Sequence, residues 1–331
     1  MLQSYMKNVL INASAAKIGG ASTIVRSFYS KLDDSDQVNY ILICGLKELP
    51  DKKNVKVIPL STSGIWSILF SALRIGLFNF WFRPSKIISF NNINYLFSKS
   101  KGITFFHQSK LFLEKPNQLK LYIYDWIIKH FLLQNSWVVQ SEHVAQQLTA
   151  KYPSLHGKTT VAWPGFHIPE TIQIPDLPSH IKGIFPVTSV SHHKNLDLFW
   201  QLHEAFAELN IHVATLLADQ DVPQKSHYHH IKPLPSAEIF GIYKLLDFMV
   251  FTSTEESVGL PIFEFLQTGK PVFVYAAPYA VYYYEYFSRP ENMILFNSAE
   301  DFKAQFLACN NLSSNRFDYS RGEWYKVFDL I

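Results

Sequence analysis

The sequence predicts an α/β protein made of two Rossmann-like domains facing a central cleft. Short apolar runs and helix-periodic segments alternate through both halves, the pattern of parallel strands covered by helices. Each half also has a strand–glycine–helix junction, at Gly19-Gly20 and at Gly259, where backbone can approach a ligand. Finally, a stretch punctuated by Pro164, Gly165, Pro169, Pro175 and Pro178 reads as a linker. It separates a basic half from an acidic one. Residues 1–165 carry 19 Lys and Arg against 8 Asp and Glu, and residues 166–331 carry 11 against 19. The expected division is a first domain over 1–165, a linker over 166–180 and a second domain over 181–312.

A chain of 331 residues, 48% hydrophobic, is long enough for two cores. With only Cys44 and Cys309, a disulfide scaffold is excluded and a reducing compartment is the simpler setting. Met1 to Leu10 contains Gln3, Ser4, Lys7 and Asn8 and lacks the apolar run of a secretory signal. The positive charges of the first half are scattered, and no nucleic-acid motif accompanies them, so no nucleic-acid partner is expected.

Lys7–Ala13 reads as the first strand, followed by a polar turn and a helix through Ile24, Val25, Phe28 and Leu32. There is no full G-x-G-x-x-G, so a dinucleotide site is not supported. Gly19 and Gly20 serve either a tight turn or the approach of a ligand. Strands follow at Val38–Cys44 and Val55–Ile58. Ile65 to Phe82 then runs for eighteen mostly apolar residues, at the lower limit for crossing a membrane. Arg74 at its centre, with Gly76 and Asn79, argues against crossing. One reading is a helix largely buried against the sheet. The other rests an aromatic face, flanked by Arg74, Arg83 and Lys86, in a bilayer interface. A second aromatic-basic stretch, Lys120 to Lys129, and the basic half point to an anionic membrane surface as a partner.

Lys86–Phe90 and Ile103–Phe106 are further strands, the second ending at His107-Gln108. Parallel sheets place ligands at the C-terminal ends of their strands, so His107 is a site candidate as well as a structural one. Asn91 and Asn92 are weaker candidates for lining the same cleft. Trp137-Val138-Val139-Gln140-Ser141 reads as the next strand segment, with Ser141 capping a helix over Glu142–Ala150.

The second domain opens with a strand at Ile184–Val190, then Ser191-His192-His193-Lys194-Asn195 and a helix through Leu198, Leu202 and Phe206. A lysine at a strand–helix junction is well placed to neutralise a diphosphate. Ile211–Ala218 is a strand ending at Asp219-Gln220-Asp221. His227, His229 and His230 follow without partner cysteines or a His-Glu-x-x-His, so no metal is expected.

A helix through Ile239, Ile242 and Leu246 leads to Leu245–Phe251, read as a buried strand, and then to Glu256-Ser257-Val258-Gly259-Leu260-Pro261-Ile262-Phe263-Glu264. Pro261 suits the first turn of a helix that Gly269 and Pro271 end. The helix start favours a phosphate-bearing ligand. Two carboxylates beside it would repel phosphate unless they accept hydrogen bonds from sugar hydroxyls, and a nucleotide sugar has both parts. Val272–Tyr275, Met293–Phe296 and a helix over Ser298–Ala308 close the sheet around an aromatic segment beginning at Tyr279.

Glu256 and Glu264, with Gly259-Leu260-Pro261 between them and Gly269-Lys270-Pro271-Val272 downstream, resemble the signature of retaining GT-B glycosyltransferases of family 4 (glycosyltransferase group 1) of the bacterial surface-polysaccharide type. The resemblance covers nearly the whole chain, with its specific motifs in residues 188–272. It implies a retaining, metal-independent enzyme of the EC 2.4 type. Such an enzyme moves a sugar from a nucleotide-sugar donor to a lipid-linked or oligosaccharide acceptor in O-antigen, lipopolysaccharide or capsule biosynthesis.

It also assigns roles. Glu256, Lys194 and His107 would be catalytic, with Lys194 on the diphosphate and Glu256 and His107 on the donor sugar. Glu264 would bind the ribose, and Ser257, Val258, Gly259, Leu260, His193, Gly19 and Gly20 would complete the donor site. One departure is Ser189, where members usually carry an arginine five residues before the lysine. Asp219-Gln220-Asp221 matches the metal signature of the other glycosyltransferase architecture, but falls in the wrong half for it. The resemblance further implies a C-terminal helix in 313–331 packing on the first domain, no cofactor, and a cytoplasmic enzyme peripheral on the inner face of the plasma membrane. Two alternatives remain: a nucleotide-sugar epimerase of the same fold, and an inactive binding protein, which Ser189 favours.

Overall fold

The computed structural model describes residues 6–17, 19–32, 37–46, 49–112, 119–223, 225–232, 234–309 and 317–331. The start of the Met1–Leu10 stretch therefore lies outside the described residues. The chain folds as two compact units: Met1–His167 with Arg321–Ile331, and Ile168–Ser320.

The first unit is built on a seven-stranded sheet whose strands all pair in parallel. Its strands are β1 (Lys7–Ala13), β2 (Val38–Cys44), β3 (Val55–Pro59), β4 (Lys86–Ser89), β5 (Gly102–Phe105), β6 (Ser136–Val139) and β7 (Thr159–Val161). They run in the order β3-β2-β1-β4-β5-β6-β7. β1 is buried continuously from Val9, as expected for a parallel strand covered on both faces. Edge strand β7 was not expected from the sequence, because Thr-Thr-Val is short and only half-buried.

The helix Gly64–Phe82 corrects the reading of a largely buried helix. Ile68, Ala72, Phe70 and Ile75 pack into the core, while Phe80 is 72% exposed and Trp81 69% exposed. Only one of its sides has a sheet to lie on, so the other faces outward. By length and composition alone it could cross a membrane. Its inner side, however, is tied to the sheet by Ser71, which accepts hydrogen bonds from Asn12 and Asn91.

The C-terminal residues complete this unit. Trp324 is 1% exposed and packs on Phe28, Phe105 and Phe90, with ring centroids 5.2, 5.7 and 6.3 Å away. Its Nε1 donates to Ser27 Oγ at 2.9 Å, which in turn donates to the Pro164 carbonyl at 2.8 Å. Residues 317–320 belong instead to the second unit, where the Tyr319 amide donates to Gln267 Oε1 at 3.0 Å.

The second unit has six parallel strands in the order β10-β9-β8-β11-β12-β13. These are β8 (Ile181–Phe185), β9 (His212–Thr215), β10 (Tyr228–His230), β11 (Phe248–Phe251), β12 (Val272–Tyr275) and β13 (Met293–Phe296). β8 lies earlier than Ile184–Val190 because Pro186, lacking an N–H, ends the ladder. The segment read as a linker is packed rather than free. Gly241, in the helix Ser236–Leu245, lies so close to it that a Cβ would come 1.9 Å from the Gln173 carbonyl oxygen. Both sheets reverse strand order once, between β1 and β4 and between β8 and β11, which marks the C-terminal ends of those strands as ligand positions.

Candidate functional site

Lys194 follows β8 and Glu256 follows β11, so the two flank the reversal point of the second sheet. They meet there: Lys194 Nζ donates to Glu256 Oε1 at 2.5 Å, each side chain about one-fifth exposed (19% and 18%). The lysine ammonium also lies 5.7 Å from the Phe251 ring centroid, within cation–π range. Its turn, His192–Lys194, is held from across the sheet. Thr252 Oγ1 donates to the Lys194 carbonyl at 2.8 Å, and the Thr254 amide to the His193 carbonyl at 2.8 Å. Asn195 closes the turn at φ +50°, and His193 Nδ1 lies 3.0 Å from Ser191 Oγ.

Gly259, at φ +73°, redirects the chain into the helix Leu260–Leu266. A Cβ there would press on Ile262 Cδ1 at 3.1 Å, so both conformation and space select glycine. The Tyr283 hydroxyl pins the loop by donating to the Ser257 carbonyl at 3.0 Å. Val258 and Leu260 are core side chains, so only their backbone is available to a ligand.

Glu264 sits on the partly accessible side of the helix Leu260–Leu266, whose Ile262, Phe263, Phe265 and Leu266 are buried. It makes no hydrogen bond or ion pair among the described residues. Burial among apolar neighbours pushes its carboxyl up to about 7. Two further polar groups are poorly satisfied. Among the described residues, Tyr279, whose ring would contact a Cβ at Gly259, carries a buried hydroxyl without a partner, as does Ser253 just after β11. From the sequence, the segment beginning at Tyr279 reads either as the lining of a sugar site or as core, and Ser253 has no assigned role.

Three site residues lie in the first unit. Gly19 has φ +67°, and a Cβ there would meet nothing within 4 Å, so its turn is both conformationally selected and open. Gly20 beside it is exposed. The His107 backbone amide donates to Asn92 Oδ1 at 2.7 Å, while Asn92 Nδ2 lies 3.4 Å from His107 Nε2. An amide can only donate to that ring nitrogen, which places the imidazole proton on Nδ1. Among the described residues Nδ1 is buried without a partner. Burial, reinforced by Lys120, lowers the His107 pKa to about 4, so the ring is a neutral donor. Asn91 does not line an open site. It is 4% exposed and its amide donates to Asn12 Oδ1, Ser14 Oγ and Ser71 Oγ, so it is structural.

Asp219 and Asp221 sit on an exposed turn, and neither joins a group of metal-type side chains among the described residues. His227 and His230 face backbone carbonyls, whereas His229 meets His212 and His180, a grouping that sequence spacing does not reveal. Ser189 is exposed between β8 and the Lys194 turn.

No family model matches the chain, and a search of the curated proteins finds no match. Solved structures do match. One is WaaG, a glycosyltransferase involved in lipopolysaccharide biosynthesis, at 11% identity, TM-score 0.64, over 90% of this chain and 88% of that one. The Anabaena protein HepE, solved with UDP and glucose, aligns at 13% identity, TM-score 0.62, over 96% and 93%. Sucrose-phosphate synthase from Thermosynechococcus elongatus aligns at 13% identity, TM-score 0.65, over 98% and 94%. With two all-parallel sheets of matching order and similarity along nearly its whole length, the chain has the GT-B fold.

Proposed function

We propose that the protein is a glycosyltransferase that takes a sugar from a nucleotide-sugar donor. The observation that carries this reading is the Lys194–Glu256 pair at the sheet reversal, with the unpartnered Glu264 carboxyl in the helix that follows. Breaking the bond between the sugar and its diphosphate puts negative charge on the leaving oxygens, and Lys194 is the cation placed to receive it. Glu256, released from that lysine, accepts hydrogen bonds from the donor sugar, and Glu264 accepts them from the ribose. The backbone of Ser257 to Leu260 borders the same donor. In the first unit, His107 is assigned to the sugar being transferred, as a neutral hydrogen-bonding group. UDP as the nucleotide is suggested by the UDP-bound similar structures. Transfer with retention and without a metal, the positive charge coming from Lys194, is part of the same proposal.

The first unit is further proposed to rest on an anionic membrane surface on the cytoplasmic side, with a lipid-linked saccharide of polysaccharide assembly as acceptor. Trp66, Leu73, Leu77, Phe80 and Trp81 form an exposed apolar face on Gly64–Phe82, and Tyr122 and Trp126 are exposed on Leu119–Ile127. The inner sides of both helices share one core cluster, and Arg74, Arg83 and Lys129 are exposed nearby in sequence. Such a surface lies on a bilayer rather than spanning it.

Calorimetric titration with UDP-, GDP-, CMP- and dTDP-sugars, with and without EDTA, tests the donor reading. Binding of one nucleotide class, unchanged by EDTA and weakened in Glu264→Ala, is expected; binding of none would sink it. For the membrane, cosedimentation with phosphatidylglycerol vesicles should fall in Phe80→Glu/Trp81→Glu at unchanged melting temperature. Equal sedimentation of both proteins would remove that part.

A further inference from the structure

At the N-terminal ends of the second sheet's strands, opposite the Lys194–Glu256 end, histidines gather. His180 immediately precedes β8, His212 opens β9 and His229 lies in β10, and these three strands are neighbours. One nitrogen from each histidine lies within 4.8 Å of the others. The His180 ring is 4.9 Å from that of His212 and 5.0 Å from that of His229, and His212 Nδ1 is 2.8 Å from His229 Nε2.

We propose that His180, His212 and His229 form a binding site for a divalent transition metal of the imidazole-preferring class, with Zn²⁺ as its occupant and water as the fourth ligand. Three imidazoles converging on one point are a donor set for such ions, and bonds of about 2.0–2.1 Å place tetrahedral ligand atoms roughly 3.3 Å apart. Metal binding requires the rings, which come from the entry of β8 and from β9 and β10, to rotate to that spacing. His227 supports the group from behind: its Nδ1 donates to the Ile211 carbonyl at 2.9 Å, and its ring lies 4.8 Å from that of His212. His230, next along β10, donates to the Leu217 carbonyl instead.

The site's role is structural. β10 is a three-residue edge strand, and a shared metal ties it to β9 and to the entry of β8. It supplies nothing to the transfer reaction, so it stands apart from the donor proposal.

The test is titration of the metal-stripped full-length protein with Zn²⁺ alone, by calorimetry and thermal unfolding. One equivalent should bind at submicromolar Kd and raise the melting temperature, reversibly with EDTA. His212→Asn and His229→Gln should each weaken binding by about 100-fold or more, taking metal-site mutations as a guide. His156→Gln, at an exposed histidine of the first unit, should leave binding unchanged. Should a strand variant fail to fold, His180→Gln removes a ligand outside the strands. No saturable site below about 10 μM, a Kd too weak for a structural zinc, would overturn the proposal. So would binding that survives His180→Gln.

Discussion

Replacing Glu264 with glutamine should stabilise the free protein above neutral pH while weakening its hold on a nucleotide sugar. Burial raises this carboxyl from its ordinary 4.5 to about 7. The folded protein therefore holds the proton more tightly than the unfolded chain does. Stability is lost as pH rises through that window, and the loss is complete above about pH 7. A shift of this size corresponds to ~3 kcal/mol at most, and partial solvent access reduces the expectation to ~1–2 kcal/mol. Glutamine carries no charge, so it should melt higher than wild type at pH 8 and equally near pH 4.5. Ribose hydroxyls donate to the charged carboxylate, so a donor must first displace the proton. If binding requires the carboxylate, affinity falls by about 1 + 10^(7−pH), roughly elevenfold at pH 6 and hardly at all at pH 8. Calorimetric titration with UDP-glucose, whose diphosphate does not itself titrate in this range, reads the effect. The same pH slope in Glu264→Gln, or a flat wild-type affinity, would refute the reasoning.

Lys194→Ala should weaken binding of the free nucleoside diphosphate by about 10- to 100-fold, the scale of a charge-assisted contact. Glu256→Gln should leave it unchanged or tighter while sugar transfer falls, and parallel titration and turnover assays separate the two. His107 should remain neutral with its proton on Nδ1 from about pH 8 down to pH 5, read from imidazole nitrogen shifts by NMR. Because its folded pKa of about 4 lies below the ordinary 6.5, the stability it contributes should fade as pH drops through that interval. Trp324→Ala should cost about 3–5 kcal/mol in urea unfolding, since it removes a fully buried indole and orphans Ser27 as its acceptor.

The fold was legible wherever strands are covered on both faces. β12, paired on both sides, appears in the sequence as an uninterrupted apolar run and forms over the expected residues. β7 and β10 were not legible, because edge strands need neither length nor apolar continuity, and Tyr-His-His resembles a loop. In the candidate site, the local spacing from Glu256 to Glu264 could be read directly, since one turn and one helix fix it. The contact between Lys194 and Glu256 spans 62 residues, and the threonine bonds to the Lys194 turn cross the same gap. Those contacts depend on which strands become neighbours, which no local pattern states. The same applies to the helix Gly64–Phe82: its apolar residues predict a helix, but not how much of it the sheet covers.

The chain's return to its first unit bears on how it is made. Trp324 fills a slot among Phe28, Phe90 and Phe105, and the segment from Ile168 to Ser320 is synthesised between them. At ~5–20 residues per second, the ribosome takes on the order of ten to thirty seconds to cross that interval. Through all of it the nascent first unit has an aromatic slot with nothing in it, and it also carries an outward-facing apolar helix. The second unit can close its own sheet in the meantime. The first to emerge is thus the last to be finished, and losing the final eleven residues would leave it permanently at that stage.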